Sequence, residues 1–202
     1  MGESLPLLLA AVVGFGHAFE ADHLLAVSTL VSKSNSNRQV VFNGFYWGLG
    51  HTSTIFFIGL LLILFQINEL KLYFEYFEIF VGIMLIILGI IRLVQNYRSP
   101  SQAHTHDHSS DREAYGIGLV HGLAGSGGLV LLVMADLPTK GEALAYLALF
   151  GIGSAVGMSV AASILRLPIL NGNGHQNRKQ IFTWLSSLLC IGYGIFILTR
   201  FI

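Results

Sequence analysis

The sequence predicts an all-α membrane protein with six transmembrane helices, built as two inverted three-helix repeats. Three observations predict this fold class. The 202-residue chain is 53% hydrophobic and only 11% charged, whereas soluble domains carry roughly 25% charged residues. Its mean hydropathy is +0.68, and its apolar residues form runs of about 20, the length that crosses a bilayer. The third observation is a resemblance between the two halves of the chain.

Six apolar runs follow one another along the chain, and each predicts one helix. They cover residues 5–31, 40–65, 73–95, 115–135, 143–165 and 180–202. The first run is not predicted to be a signal peptide, because residues 1–16 contain no Lys or Arg and a signal peptide begins with a basic segment. The sixth run holds the single cysteine, Cys190, which excludes an intramolecular disulfide and any site built from several thiolates. The net charge of zero argues against nucleic acid as a partner.

The two halves of the chain align in the same order. The segment that begins at Gly14 aligns with the one at Gly118, an offset of 104 residues. The segments at Gly48 and Gly151 align with an offset of 103, and those at Tyr73 and Ile181 with an offset of 108. We therefore expect one transmembrane domain over residues 1–202, with repeat one at about 1–95, a polar loop at 96–114 and repeat two at about 115–202. Three helices are an odd number, so the second repeat would cross the membrane in the opposite direction. Inverted repeats are common in secondary transporters, whose substrate site lies near the membrane midplane.

The basic residues predict the orientation of the helices. Eight basic residues lie on the side of the loops after helices one, three and five: Lys33, Arg38, Arg92, Arg98, Arg112, Arg166, Arg178 and Lys179. Three lie on the opposite side: Lys71, Lys140 and Arg200. The positive-inside rule places the richer side in the cytoplasm. Both termini are then expected outside, and the histidine-containing loop at residues 104–111 inside.

The stretch "GHAFEADHLLAV", residues 16–27, places His17, Glu20, Asp22 and His23 inside the first apolar run. A carboxylate at the membrane centre costs about 2.5–3.5 kcal/mol even on a lenient scale. No Lys or Arg is predicted at a similar depth, so a cation, protonation of the carboxylates or proton-bearing histidines must compensate. On a straight helix His17, Glu20 and His23 form one stripe, while Asp22 points about 100° away from His23. Either Asp22 has another partner, or the helix unwinds locally near the preceding glycines.

Two further histidines fall within apolar runs, His51 in "GLGHTST" and His121 in "GLVHGLAGSGG". For either histidine alone, an interhelical hydrogen bond explains the residue equally well. Together, however, four imidazoles and two carboxylates form a nitrogen and oxygen donor set that suits Ni²⁺, Co²⁺, Zn²⁺ or Fe²⁺ rather than Cu⁺. The candidate metal ligands are therefore His17, Glu20, Asp22, His23, His51 and His121. Neighbouring polar groups are expected to orient the imidazoles, namely Asn43, Thr52, Ser53 and Thr54. The sequence leaves open whether Trp47 anchors the helix at the interface or packs inside the protein.

These motifs resemble those of a known family. "HAFEADH" has the His-x4-Asp-His pattern of the nickel/cobalt transporter superfamily, and "GLGHTST" is similar to its second signature. "GLVHGLAGSGG" resembles the branch known as UreH-like or NicO. The resemblance implies that His17, Asp22 and His23 are motif residues, that His51 is a further ligand, and that His121 belongs to the site. Six helices instead of eight, and Glu20 where several members have Asp, depart from the family pattern.

The sequence therefore predicts a secondary transporter that moves Ni²⁺ or Co²⁺ across the cytoplasmic membrane, and not an enzyme. Uptake is the first expectation and export the alternative. No cofactor is expected, and the chain contains no phosphate-binding GxxxxGK[ST] motif, so an ion gradient, the membrane potential or a partner must supply the energy. His104, His106 and His108 are expected in a solvated loop. Two other classes of protein remain open. One is an intramembrane serine protease using Ser126, although residues 180–202 contain no histidine to serve as its base. The other is a haem-binding electron carrier.

Overall fold

The computed structural model describes residues 5–34, 36–65, 74–98, 109–123, 137–170 and 175–201. The described residues fold as seven α-helices, which confirms the all-α prediction for these ranges. The helices are α1 (Leu5–His17), α2 (Ala21–Lys33), α3 (Asn37–Phe65), α4 (Phe74–Arg98), α5 (Ser109–His121), α6 (Lys140–Leu170) and α7 (His175–Thr199).

Four of these helices are long and apolar enough to cross a membrane. The qualifying segments are Asn37–Phe65, Tyr76–Tyr97, Lys140–Ile169 and Gln176–Thr199, within α3, α4, α6 and α7. They match the second, third, fifth and sixth predicted runs, so the protein is a helical membrane protein. The count of six spans stays a prediction, because the fourth run is described only as far as Leu123.

The first predicted span is a broken helix rather than a continuous one. The chain leaves the α-helix after His17 in a turn, in which the Phe19 amide donates to the Gly16 carbonyl at 3.0 Å and the Glu20 amide to the His17 carbonyl at 3.1 Å. Glu20 has extended backbone angles (φ −64°, ψ 153°) and precedes the first residue of α2. The first run, 5–31, predicts one helix, and the structure divides it in two, which confirms the alternative of local unwinding.

Helices extend into both ends of the polar segment 96–114, which the sequence predicts as a loop. Helix α4 continues to Arg98 and α5 already begins at Ser109. The first turns of α5 are polar, and Glu113 is held there by Arg92 of α4 and Lys33 of α2. These ion pairs stabilise helix beyond the apolar run, which hydropathy alone does not register.

Helix α1 packs against α6 through glycine contacts that leave no space for a side chain. A Cβ on Gly14 would lie 2.1 Å from the carbonyl oxygen of Phe150, and a Cβ on Gly153 would lie 2.0 Å from the carbonyl oxygen of Ala11. A Cβ on Gly157 would in turn approach Phe15 and Ala18, so the contact positions advance together along both helices, and α1 and α6 run in the same direction.

Helix α5 packs against α3 by the equivalent contacts. A Cβ on Gly118 would lie 2.1 Å from the carbonyl oxygen of Trp47, and a Cβ on Gly50 would lie 2.1 Å from that of Tyr115. The residues in these contacts correspond to those of the α1–α6 contacts. Adding 104 to Ala11 and Gly14 gives Tyr115 and Gly118, and subtracting 103 from Phe150 and Gly153 gives Trp47 and Gly50. The numbers 104 and 103 are the offsets at which the first two segments of the two halves align. Each short helix thus packs on the long helix of the opposite half.

Helices α3 and α6 join these two pairs at the centre. Gly48 approaches Ala155, and Gly151 approaches Thr52, in antiparallel order. Since α1 runs parallel to α6, α6 antiparallel to α3, and α3 parallel to α5, helices α1 and α5 run in opposite directions. Helix α4 packs along α7, and α2 is buried beside α7, α6 and α4.

Residues predicted on the basic side of the membrane meet at one end of the fold. Lys33 and Arg92 both pair with Glu113, and the buried guanidinium of Arg166 donates to the carbonyl oxygen of Ser34 at 2.6 Å. These contacts bring together the ends of α2, α4 and α6 and the start of α5. The predicted assignment of these three loops to one side is consistent with this arrangement.

Candidate metal centre

Four helices bring five of the six candidate ligands into one buried cluster. His17 is the last residue of α1 and His121 the last residue of α5, while Asp22 and His23 begin α2 and His51 lies in the middle of α3. His17 is 6% exposed, and the other three histidines are completely buried. The break after α1 makes this possible, because it releases residues 18–20 from helical geometry between His17 and Asp22.

The first part of the cluster joins α1 to α3. The Nε2 atoms of His17 and His51 lie 3.1 Å apart. Nδ1 of His17 lies 2.9 Å from a carboxylate oxygen of Glu20, whose side chain is 45% exposed. Glu20 therefore orients the His17 ring from the edge of the cluster, and places the opposite nitrogen towards His51.

The second part of the cluster is organised by Asp22. Its Oδ1 lies 3.0 Å from Nδ1 of His23 and accepts the His23 backbone N–H at 2.9 Å, while its Oδ2 lies 3.1 Å from Nε2 of His121. The other alternative, a further partner for Asp22, is found as well, and that partner comes from the second half of the chain. Within the described residues, the ionic partners of this carboxylate are imidazoles.

The donor atoms of the cluster can hold a metal ion in two overlapping groups. One group is His17, His23 and His51, the other is Asp22, His23 and His121, and in each group the candidate ligand atoms lie within 4.8 Å of one another. Glu20 belongs to neither group. Three ring nitrogens, His23 Nε2, His51 Nδ1 and His121 Nδ1, are buried without a hydrogen-bond partner among the described residues. An unpaired buried polar atom costs about 1–3 kcal/mol, and a cation would remove that cost for each of these nitrogens that it binds.

Aromatic rings enclose the cluster, and the sequence did not identify them as part of it. Trp47 is fully buried, and its ring centroid lies 5.4 Å from that of His23 and 5.6 Å from that of His121. Phe150 lies 5.4 Å from His17, at the position equivalent to Trp47 in the other half. Trp47 is therefore internal packing and not an interfacial anchor. The available signal was its spacing of four residues from His51, which places both on one helix face.

The polar neighbours expected to orient the imidazoles bind elsewhere. Thr52 donates to the carbonyl oxygen of Gly151, Ser53 to that of Leu49 and Thr54 to that of Leu119, and Asn43 donates to the hydroxyl of Ser34. For the three hydroxyls this prediction was wrong, because hydroxyls in helices readily bond backbone carbonyls. The two carboxylates of the opening motif orient the rings instead.

Several sequence candidates lie outside the described residues. These are Ser126, the glycine-rich stretch around it, and the loop histidines His104, His106 and His108.

Comparison with known proteins gives two relatives. The chain is 34% identical over 205 residues to the urease accessory protein UreH of Bacillus sp. (strain TB-90), covering 94% of this chain and 88% of the relative. It is 26% identical over 197 residues to the Chloroplast protein FOR GROWTH AND FERTILITY 1 of Arabidopsis thaliana, covering 86% of this chain and about half, 53%, of that relative. No family model and no solved structure matches the chain. The similarity to UreH extends over nearly the whole of both chains and agrees with the UreH-like motifs, and the chain therefore belongs to the UreH family.

Proposed function

We propose that this protein is a secondary transporter for Ni²⁺ or Co²⁺ in the cytoplasmic membrane, and that the buried cluster is the site of the transported ion. The observation that carries this proposal is the convergence of four buried imidazoles and the Asp22 carboxylate from both halves of the chain. The ion is the substrate of the protein, not a resident cofactor, and the protein is a transporter rather than an enzyme.

The cost of burying Asp22 supports a cationic occupant. A carboxylate within the membrane is costly unless it is neutralised, and the described partners of Asp22 are histidines that do not need to carry charge. A divalent ion bound there would neutralise the carboxylate and give the unpaired Nε2 of His23 a partner. Imidazole and carboxylate donors without thiolate suit borderline ions of the Ni²⁺ and Co²⁺ type, in agreement with the transporter motifs that the sequence resembles.

The helix arrangement supports an alternating-access transporter made of two inverted repeats. Helices α1 and α5 run in opposite directions and make equivalent contacts with the long helices. Each of the two ends in a histidine of the cluster. Broken helices that meet at the interface of two inverted repeats are typical of the substrate sites of secondary transporters.

Uptake into the cytoplasm, with both termini outside, is the direction that we propose, and export by the same site is the second candidate. The positive-inside distribution supports the orientation. A haem carrier is disfavoured because His17 Nε2 and His51 Nε2 are 3.1 Å apart, which leaves no room for a porphyrin plane between these two nitrogens.

The test is accumulation of ⁶³Ni²⁺ at trace concentration in cells with and without the protein. We expect higher accumulation with the protein, and background accumulation for His17→Gln, Asp22→Asn, His23→Gln and His51→Gln at equal membrane content. His175→Gln, at the first residue of α7, is the matched histidine control and is expected to accumulate Ni²⁺ as the wild type does.

Lower accumulation in cells with the protein would show that the ion moves outward and would select export. Equal accumulation with and without the protein, together with no binding of Ni²⁺ or Co²⁺ to the purified protein, would refute the proposed function.

A further inference from the structure

The donor atoms of the cluster are arranged around His23. The ring centroid of His23 lies 4.3 Å from that of His17 and 4.3 Å from that of His121, whereas the rings of His51 and His121 are 6.2 Å apart. His23 is also the member that the two candidate ligand groups share. The cluster therefore has a central imidazole with a different set of donors on each side.

The two nitrogens of His23 are in different surroundings. Nδ1 lies 3.0 Å from Asp22, which belongs to the group that contains His121. Nε2 is buried without a hydrogen-bond partner among the described residues. With the Nδ1–H of His23 donated to the Asp22 carboxylate, Nε2 is the nitrogen that can bind an ion in either group, and no proton has to move on the ring.

We propose that the cluster binds one ion at a time at either of two positions that share His23. The first position consists of three imidazoles, those of His17, His23 and His51. The second consists of the carboxylate of Asp22 and the imidazoles of His23 and His121. This inference rests on the proposed function and adds the path of the ion within the site.

Ligand chemistry explains why occupation is exclusive and why the ion can move between the positions. A neutral imidazole has one lone pair for a metal, since its other nitrogen carries the proton, so His23 binds an ion in one position or in the other. The ion can leave His17 and His51 while it gains Asp22 and His121, without being released into the apolar interior. His17 and His121 are equivalent residues of the two halves, so each half supplies its own terminal histidine to one position.

The two positions differ in charge and in donor type, which makes them distinguishable. An ion at the first position is bound by three nitrogens and keeps its full charge within the site. An ion at the second position is bound by two nitrogens and a carboxylate oxygen, which lowers the net charge by one. Co²⁺ is a suitable probe, because its visible absorption and its X-ray absorption spectrum report the number of bound imidazoles.

The experiment uses the full-length protein purified in detergent and two double variants that keep side-chain volume and polarity. His17→Gln with His51→Gln removes the first position, and Asp22→Asn with His121→Gln removes the second. His23→Gln impairs both, and His175→Gln is the control. Monodisperse elution on size exclusion confirms that each variant is folded, and equilibrium dialysis gives the stoichiometry and the affinity for Co²⁺.

We expect one Co²⁺ per chain in the wild type and in each double variant. The association constants of two exclusive positions add, so the double variant that keeps the stronger position should bind within about twofold of the wild type, whereas His23→Gln should lose much more affinity. The variant without the first position should show two imidazoles and an oxygen ligand, and the variant without the second should show three imidazoles. Neither double variant should transport Ni²⁺, because the ion can no longer pass between the positions.

Loss of Co²⁺ binding in both double variants as complete as in His23→Gln would overturn the proposal in favour of one indivisible site. Two ions per wild-type chain would overturn it in favour of independent sites, and identical ligand spectra for the two doubles would also contradict it. Each of these outcomes leaves the proposed function intact, whereas a wild-type protein that binds neither Co²⁺ nor Ni²⁺ would refute the function itself.

Discussion

Gly14 of α1 packs against Phe150 of α6 so closely that a Cβ at Gly14 would lie 2.1 Å from the carbonyl oxygen of Phe150. Gly118 of α5 makes the equivalent contact in the other half of the protein. Each glycine precedes a cluster histidine by three residues, and residues three apart lie near one another on a helix surface. The glycine contacts therefore set the depth and the position of His17 and His121.

Gly14→Ala and Gly118→Ala should each prevent normal packing of their helix pair. The added methyl group would meet backbone atoms, which cannot rotate away, and overpacking of this kind costs about 1–3 kcal/mol or more. We expect lower yield of folded protein from membranes and a lower midpoint of thermal unfolding in detergent. Gly16→Ala and Gly116→Ala are matched controls on the same helices, since a Cβ at either position meets nothing within 4 Å. Equal stability of all four variants would show that the close contacts do not hold α1 and α5.

Replacement of Glu20 should separate an orienting role from direct metal binding. Glu20 lies 2.9 Å from Nδ1 of His17 and outside both candidate ligand groups. If it orients the ring, Glu20→Ala should weaken Ni²⁺ binding about 10–100-fold, the usual effect of removing such a partner. Glu20→Gln should weaken binding less, because the amide still accepts a hydrogen bond. Chelator competition with the purified protein measures both affinities, and equally severe losses would indicate that Glu20 is itself a ligand.

Glu113→Gln should destabilise the end of the fold where α2, α4 and α5 meet. Glu113 pairs with Lys33 and with Arg92, which is 3% exposed, so the neutral variant leaves a buried guanidinium without its anion. The expected loss is about 1–3 kcal/mol, between the values for exposed and for buried ion pairs. Glu78→Gln is the control, since Glu78 lies 3.8 Å from the largely exposed Arg200, and its removal should cost less than about 1 kcal/mol. Thermal unfolding in detergent measures both variants.

The contribution of Glu113 should also depend on pH. Burial raises the pKa of Glu113, but the hydrogen bond from Lys33 and the charges of Arg92 and Lys33 outweigh this effect and hold the pKa below its ordinary value of 4.5. A lowered folded-state pKa means that the stabilisation is complete above pH 4.5 and is lost as the pH falls through the lowered value. The wild type and Glu113→Gln should therefore differ in unfolding midpoint at neutral pH and converge in acid. A constant difference down to the lowest accessible pH would contradict this assignment.

Replacement of His104, His106 and His108 by Ser should lower transport only modestly. These residues lie in a polar stretch, and ligands on such a segment pay an ordering cost at every binding event. The preference between Ni²⁺ and Co²⁺ should be unchanged, since we assign selectivity to the buried cluster. Competition of Co²⁺ against ⁶³Ni²⁺ uptake in the triple variant measures this preference. A changed preference, or complete loss of transport, would move the selective site to the loop.

The sequence by itself determined the class of the protein and identified the candidate donors of the buried cluster. Long apolar runs predict membrane helices because their physical requirement is local: about 20 consecutive apolar residues are enough. The candidate ligands were identifiable because ionisable groups within apolar runs are costly and rarely lack a role. The alignment of Gly14 with Gly118 and of Gly48 with Gly151 carried the offsets that the helix contacts obey.

Only the tertiary structure decided how these residues are arranged. Hydropathy does not distinguish one long helix from two short ones, because Ala18 and Phe19 are apolar in either case, and the break at Glu20 became visible in the backbone alone. The partner of Asp22 is His121, 99 residues away, and no local pattern specifies such a pairing. The division of the donors into two groups around His23 likewise depends on where α2, α3 and α5 meet. The glycines allow the helices to approach closely, and the crossing of two helices depends on all the contacts along their interface. The geometry of the site is therefore a property of the packed helices and not of any one segment.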